Sequence, residues 1–123
     1  MQYSDSLKKN NEFQRVYRKG TSQANRYLVM YVLENKDRHM ENRLGISVSK
    51  KVGNSVVRHR ITRLIRESYR LNEEKFDRNL DIVVIARNSV KDRSYQEIES
   101  AFMNLAQRHE IAGAGSNDEE TSY

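Results

Sequence analysis

Five arginines define the chemistry open to this chain. Arg58, Arg60, Arg63, Arg66 and Arg70 recur through RHRITRLIRESYR, with His59 among them. A guanidinium is a planar fork of N–H donors that grips phosphate oxygens in pairs and stacks on base faces. Set along one helix, such forks face a polyanion. The surrounding stretch, Arg43 to Arg70, holds eight Lys/Arg against the single acid Glu67, more positive charge than the +5 of the whole chain. The remainder is therefore slightly acidic. A basic surface concentrated in this way points to nucleic acid.

A second set of residues could stack on bases. The run Tyr27 to Leu33 (YLVMYVL) alternates Tyr27, Val29, Tyr31 and Leu33 on one strand face with Leu28, Met30 and Val32 on the other. Both faces are apolar, so each must meet something. Phe13 and Tyr17 on a preceding helix can cover part of the Tyr31 face. An aromatic face left partly open suits single-stranded nucleic acid; a second small core would account for the same rings.

Residues for bond-breaking chemistry are not grouped. His39, His59 and His109 are scattered without metal-ligand spacing, and no HExxH or Ser/His/Asp pattern occurs. Metal-dependent nucleases need clustered carboxylates, whereas the basic stretch has only Glu67. Glu97 and Glu99, and Glu119 and Glu120 in the tail, read as solvated surface. The expectation is no catalytic residue and no protein-bound metal.

These residues need elements to hold them. On a wheel of ~100° per residue, Val57, Ile61, Leu64, Ile65, Ser68 and Leu71 form the buried face of a helix running from Asn54, its N-cap, to about Lys75. His59, Arg60, Arg63, Arg66 and Arg70 fall on the solvent face. KKVGN (Lys50 to Asn54) is a turn leading into it, with Lys50 and Lys51 beside the helix N-terminus. An earlier helix spans Asn10 or Asn11 to Gly20, with an Asn11/Gln14 capping box and Gly20 as a left-handed end. Leu44 to Val48 and Asp81 to Ala86 are strands, Thr21 to Asn25 is a short edge strand, and Glu34 to Asn42 is a solvated loop. A last helix starts at Ser94, capped with Glu97, and its stripe is Ile98, Ala101, Phe102 and Leu105. The strand–helix–strand unit from Leu44 to Ala86 can pair in parallel through a crossover.

The length of 123 residues suits one domain, expected over 1–110, with an acidic Gly-rich tail over 111–123 expected to be disordered. The absence of cysteine excludes disulfides, thiolate metal sites and cysteine nucleophiles, and fits a reducing compartment. No apolar run reaches bilayer length and the N-terminus lacks a signal-peptide core; the expected location is cytoplasmic, with no membrane partner.

The segment KKVGNSVVRHRITRLIR (Lys50 to Arg66) resembles the signature of the protein subunit of bacterial ribonuclease P, roughly Lys-Lys-x-Gly-Asn-Ala-Val-x-Arg-Asn-Arg-x-Lys-Arg-x-x-Arg. Leu7 to Leu33 and DIVVIAR (Asp81 to Arg87) are similar to its N-terminal and last-strand regions. The resemblance implies an α/β (α+β) two-layer sandwich with about four strands in a mixed sheet and three helices, in the order α-β-β-β-α-β-α, with a left-handed βαβ crossover. It implies a protein cofactor: the RNA subunit, with Mg²⁺ that it mainly holds itself, removes the 5′ leader of precursor tRNA, one protein to one RNA. By the same resemblance Asn54, Arg58, His59, Arg60, Arg63, Arg66 and Arg70 would contact the RNA subunit, and Phe13, Tyr17, Tyr31, Lys50, Lys51 and Arg87 would take the leader. Three positions depart from the pattern. His59 stands for Asn and can carry charge where Asn cannot; Thr62 and Asn88 stand where Lys is usual. The basic helix alone would also suit a structural ribosome-binding protein or a protein-only nuclease.

Overall fold

The computed structural model describes residues 4–36 and 41–113. Its elements are β1 (Ser4–Ser6), α1 (Asn10–Lys19), β2 (Thr21–Ala24), β3 (Leu28–Glu34), β4 (Asn42–Ser47), α2 (Ser55–Asn72), β5 (Leu80–Ala86) and α3 (Tyr95–Arg108). The expected order stands, preceded by β1, a three-residue strand too short to register as a pattern in sequence. The mixed sheet runs β1-β4-β5-β3-β2. β1 and β5 flank β4 in parallel, while β3 pairs antiparallel with β5 and β2. The unit β4–α2–β5 is thus the expected parallel crossover.

Strand alternation divides the molecule into two cores. Leu28, Met30, Val32, Ile82 and Val84 face α2 and α3, meeting Ile61, Ile65, Tyr69, Ile98 and Phe102. Val83 faces the other way and meets Val16 of α1 and Leu7, with Phe13, Tyr17, Tyr31, Leu33 and Ile85 partly buried around them. The sheet and the α2/α3 layer form the main sandwich, and α1 covers part of the opposite face.

Several local expectations are corrected. The cap of α1 is Lys9, not Asn11: Glu12 reaches back to accept from the amides of Lys9 at 3.2 Å and Lys8 at 3.3 Å. A carboxylate one turn into the helix thereby satisfies otherwise orphaned donors. Gly20 ends α1 in extended backbone, φ −86° and ψ 177°, not in the left-handed region. Space is the reason for glycine there, since a Cβ would lie 2.7 Å from both Val16 O and Val32 O. Leu71, expected in the core, is 56% exposed, while Tyr69 and Asn72 are buried. The buried face of α2 is rotated toward Tyr69 because that ring packs on Phe76 and Phe102, at 4.9 and 6.4 Å between centroids. Tyr27 precedes β3 and joins the α2/α3 core instead of the Tyr31 face. Glu34 and Asn42 belong to strands. Ile111 is buried and Ala112 bridges to Phe76, so the folded part extends past residue 110. His39 and the rest of the tail lie outside the described residues.

Candidate nucleic-acid interface

The α2 surface grows from its N-cap. Asn54 Oδ1 accepts from the Val57 amide at 3.0 Å, and Gly53 permits the close turn, since a Cβ would sit 2.7 Å from Val57 Cγ1. His59, Arg60, Arg63, Arg66 and Arg70 are all exposed on the helix face away from the sheet. Arg58 differs: it is half-buried, and its Nε donates to Gly53 O at 3.2 Å, holding the turn and helix together. Arg70 is paired with Glu67, whose carboxyl lies below the usual carboxylate value mainly through that hydrogen bond. Among the described residues neither Arg63 nor Arg66 has an ion-pair partner. Their charges are open to an external anion.

The aromatic set comes together from two elements, α1 and β3. Phe13 and Tyr17 lie one turn apart on α1, with centroids 6.3 Å apart, and Tyr17 meets Tyr31 of β3 edge-on at 5.0 Å and 67°. The rings are half-buried: they pack around the small core and remain partly accessible. Beside them opens a cavity of about 300 Å³ lined by Lys8, Asn10, Phe13, Tyr17, Ile46 and Ser47. Burial holds the Tyr17 hydroxyl above its ordinary value, with Tyr31 adding to the rise and Ser47 opposing it, so it remains a neutral donor. Gly45 makes the arrangement possible, because a Cβ there would come 2.7 Å from Phe13 Cζ.

Lys50 and Lys51 are exposed on the turn that leaves β4 just after Ser47. Arg87 is placed differently from the rings: it extends from β5 toward the β2–β3 connection, where Nη1 donates to Asn25 O at 2.7 Å.

Sequence reasoning missed what holds α1 in place. Asp81 is wholly buried at the start of β5. Arg43, its register partner on β4, donates Nε and Nη2 to its two oxygens at 3.0 Å each. Arg43 Nη1 reaches Glu12 Oε2 at 2.8 Å, and Arg15 Nη1 lies 3.6 Å from Asp81. The same Glu12 that caps α1 is therefore tied through Arg43 to the centre of the sheet. Backbone and Arg43 contacts hold the Glu12 carboxyl below its ordinary 4.5. An acid opening the apolar run DIVVIA was the available signal, since buried carboxylates need partners. These acids face arginines, and among the described residues no group of three His, Asp or Glu side chains is placed to hold a metal ion.

The family model described as Ribonuclease P matches residues 1–110. A ribonuclease P protein component of Lachnoclostridium phytofermentans is 57% identical over 115 residues, covering 94% of this chain and 97% of its own length. That of Alkaliphilus metalliredigens is 50% identical over 111 residues, 90% and 98% of the two chains. The fold matches the solved RNase P protein of Staphylococcus aureus with a TM-score of 0.81 at 41% identity, over 88% of this chain and 97% of that one. For the protein from Thermotoga maritima the TM-score is 0.77 at 28% identity, over 88% and 98%. An exposed guanidinium row, a half-open ring groove and relatives matched over nearly their full lengths agree: the chain belongs to the ribonuclease P protein family.

Proposed function

We propose that this chain is the protein cofactor of ribonuclease P and holds RNA on two separate surfaces while the RNA subunit carries the chemistry. Asn54, Arg58, His59, Arg60, Arg63, Arg66 and Arg70 contact the RNA subunit. The groove of Phe13, Tyr17 and Tyr31, with Lys50 and Lys51 on the turn after β4, takes the single-stranded 5′ leader of precursor tRNA; Arg87, anchored on Asn25 O apart from the rings, does not line that groove. Cleavage in this reading relies on Mg²⁺ held by RNA. The protein's cations neutralise phosphates that would otherwise demand more of that ion. One protein serves one RNA, in the cytoplasm; among the described residues no helix is long and apolar enough to cross a membrane.

The observation that carries the reading is the pairing of Arg63 and Arg66 on α2, without an ion-pair partner among the described residues, with half-buried rings beneath α1, in a member of this family. The test is reconstitution. Added to a bacterial ribonuclease P RNA at low Mg²⁺, the chain is expected to restore 5′ processing and to favour precursor over mature tRNA. Cleavage by the chain without any RNA subunit, or no stimulation of the RNA, would overturn it.

A further inference from the structure

We infer that the fold assembles a second cationic surface at the end of the sheet, which grips the phosphate backbone of the same RNA subunit that the α2 row binds; this rests on the cofactor reading. Three guanidinium groups from distant segments are anchored there on main-chain carbonyls. Arg87 donates to Asn25 O at 2.7 Å, Arg108 in the last turn of α3 donates to Ala24 O at 2.9 Å, and Arg60 of α2 donates to Arg93 O at 3.0 Å. A carbonyl orients a guanidinium without cancelling its charge and leaves its other N–H donors for a ligand. Arg26 and Arg93 complete the group, lying over the Tyr27 ring at 5.7 and 5.8 Å from its centroid. Within the described residues the single ion pair of these five arginines is Arg93 with Glu97, at 3.5 Å.

The chemistry of this surface selects its occupant. Tyr27 is only 5% exposed and has arginines over it, so it offers no open ring for a base. Forks without a stacking platform read phosphates alone, which suits folded, helical RNA more than an unpaired strand. The Arg60–Arg93 hydrogen bond joins the patch to the α2 row, so one RNA molecule spans both.

The test titrates the full chain against a bacterial ribonuclease P RNA transcript over a series of KCl concentrations. Arg26→Ala with Arg108→Ala is expected to weaken binding by ~3- to 10-fold near physiological salt and to flatten the salt slope by ~0.7–0.9 per lost phosphate contact. Arg63→Ala with Arg66→Ala serves as the reference. If the reference weakens binding and the patch variant does not, the second surface is wrong and the cofactor reading stands. If neither does, the reading beneath it fails as well. A loss confined to leader-bearing substrate, with RNA-subunit binding intact, would also overturn the assignment. Arg108 tethers the edge strand, so thermal melts accompany the titrations. Where the double variant melts early, Arg26→Gln alone must still lose ~2- to 3-fold, since its side chain is exposed and one contact carries about that much.

Discussion

On α2, Arg63 and Arg66 stand in solvent on successive turns, outside the core. Beneath α1, Phe13, Tyr17 and Tyr31 lean on one another across two elements, over a glycine that leaves just enough room and beside a buried Arg43–Asp81 pair. The first surface is electrostatic and nearly independent of the core. The second is part of the core, so its shape and its binding cannot be separated. Charge can be displayed from any solvated helix, whereas ring faces stay half-open only where packing stops them from closing.

The largest expected effect tests that dependence. Arg43→Ala leaves Asp81 buried with only the more distant Arg15 as a counter-charge and frees Glu12; urea unfolding should register a loss of ~3–5 kcal/mol, the usual cost of breaking a buried pair. A loss no greater than that of an exposed arginine would erase the contrast between the two regions. Phe13→Ala comes next. Removing one stacking ring should lower precursor tRNA affinity by ~1–3 kcal/mol and spare mature tRNA and RNA-subunit binding. Equal weakening of both tRNAs would count against a leader groove.

For the α2 row, Arg63→Ala with Arg66→Ala should shift stability by no more than ~0.5 kcal/mol, because like charges at helical spacing repel rather than support one another. The same variant should reduce the salt slope of RNA-subunit binding. A strongly destabilised protein would show that the row does belong to the core. The smallest effect concerns acid. Backbone amides at Lys9 and at Ser94 respectively hold Glu12 and Glu97 below their ordinary 4.5. Their folded-state values are depressed, so the stability they add is fully present above about pH 5 and fades as pH falls through the lower folded-state values. Unfolding followed by circular dichroism across that range should show the slope, and Glu97→Gln should flatten it.

Much of the basic helix and the start of the last helix could be read from the chain alone. Asn54 as N-cap, the Ser94/Glu97 box and the solvent arc of arginines rest on spacings of three and four residues, and they appear where expected. Leu71 and Tyr27 depart from their expected places for a common reason. A wheel or a strand alternation gives the direction of a side chain but not what stands opposite. Phe76 and Phe102 drew the buried face of α2 toward Tyr69, and Tyr27 sits before β3 begins, outside its alternation. The Asn11/Gln14 box lost to Glu12, whose carboxylate is held from both sides, by two amides and by Arg43.

The sequence by itself determined the helix and strand types, the concentration of charge on α2 and the family, because propensity, capping and periodicity act over a few residues. Only the tertiary structure decided that Glu12, Arg43 and Asp81 form one network, that Gly45 yields its space to Phe13, and that Arg26, Arg60, Arg87, Arg93 and Arg108 converge at one end of the sheet. Those partners lie tens of residues apart, and strand register with helix docking, not local preference, sets which of them meet.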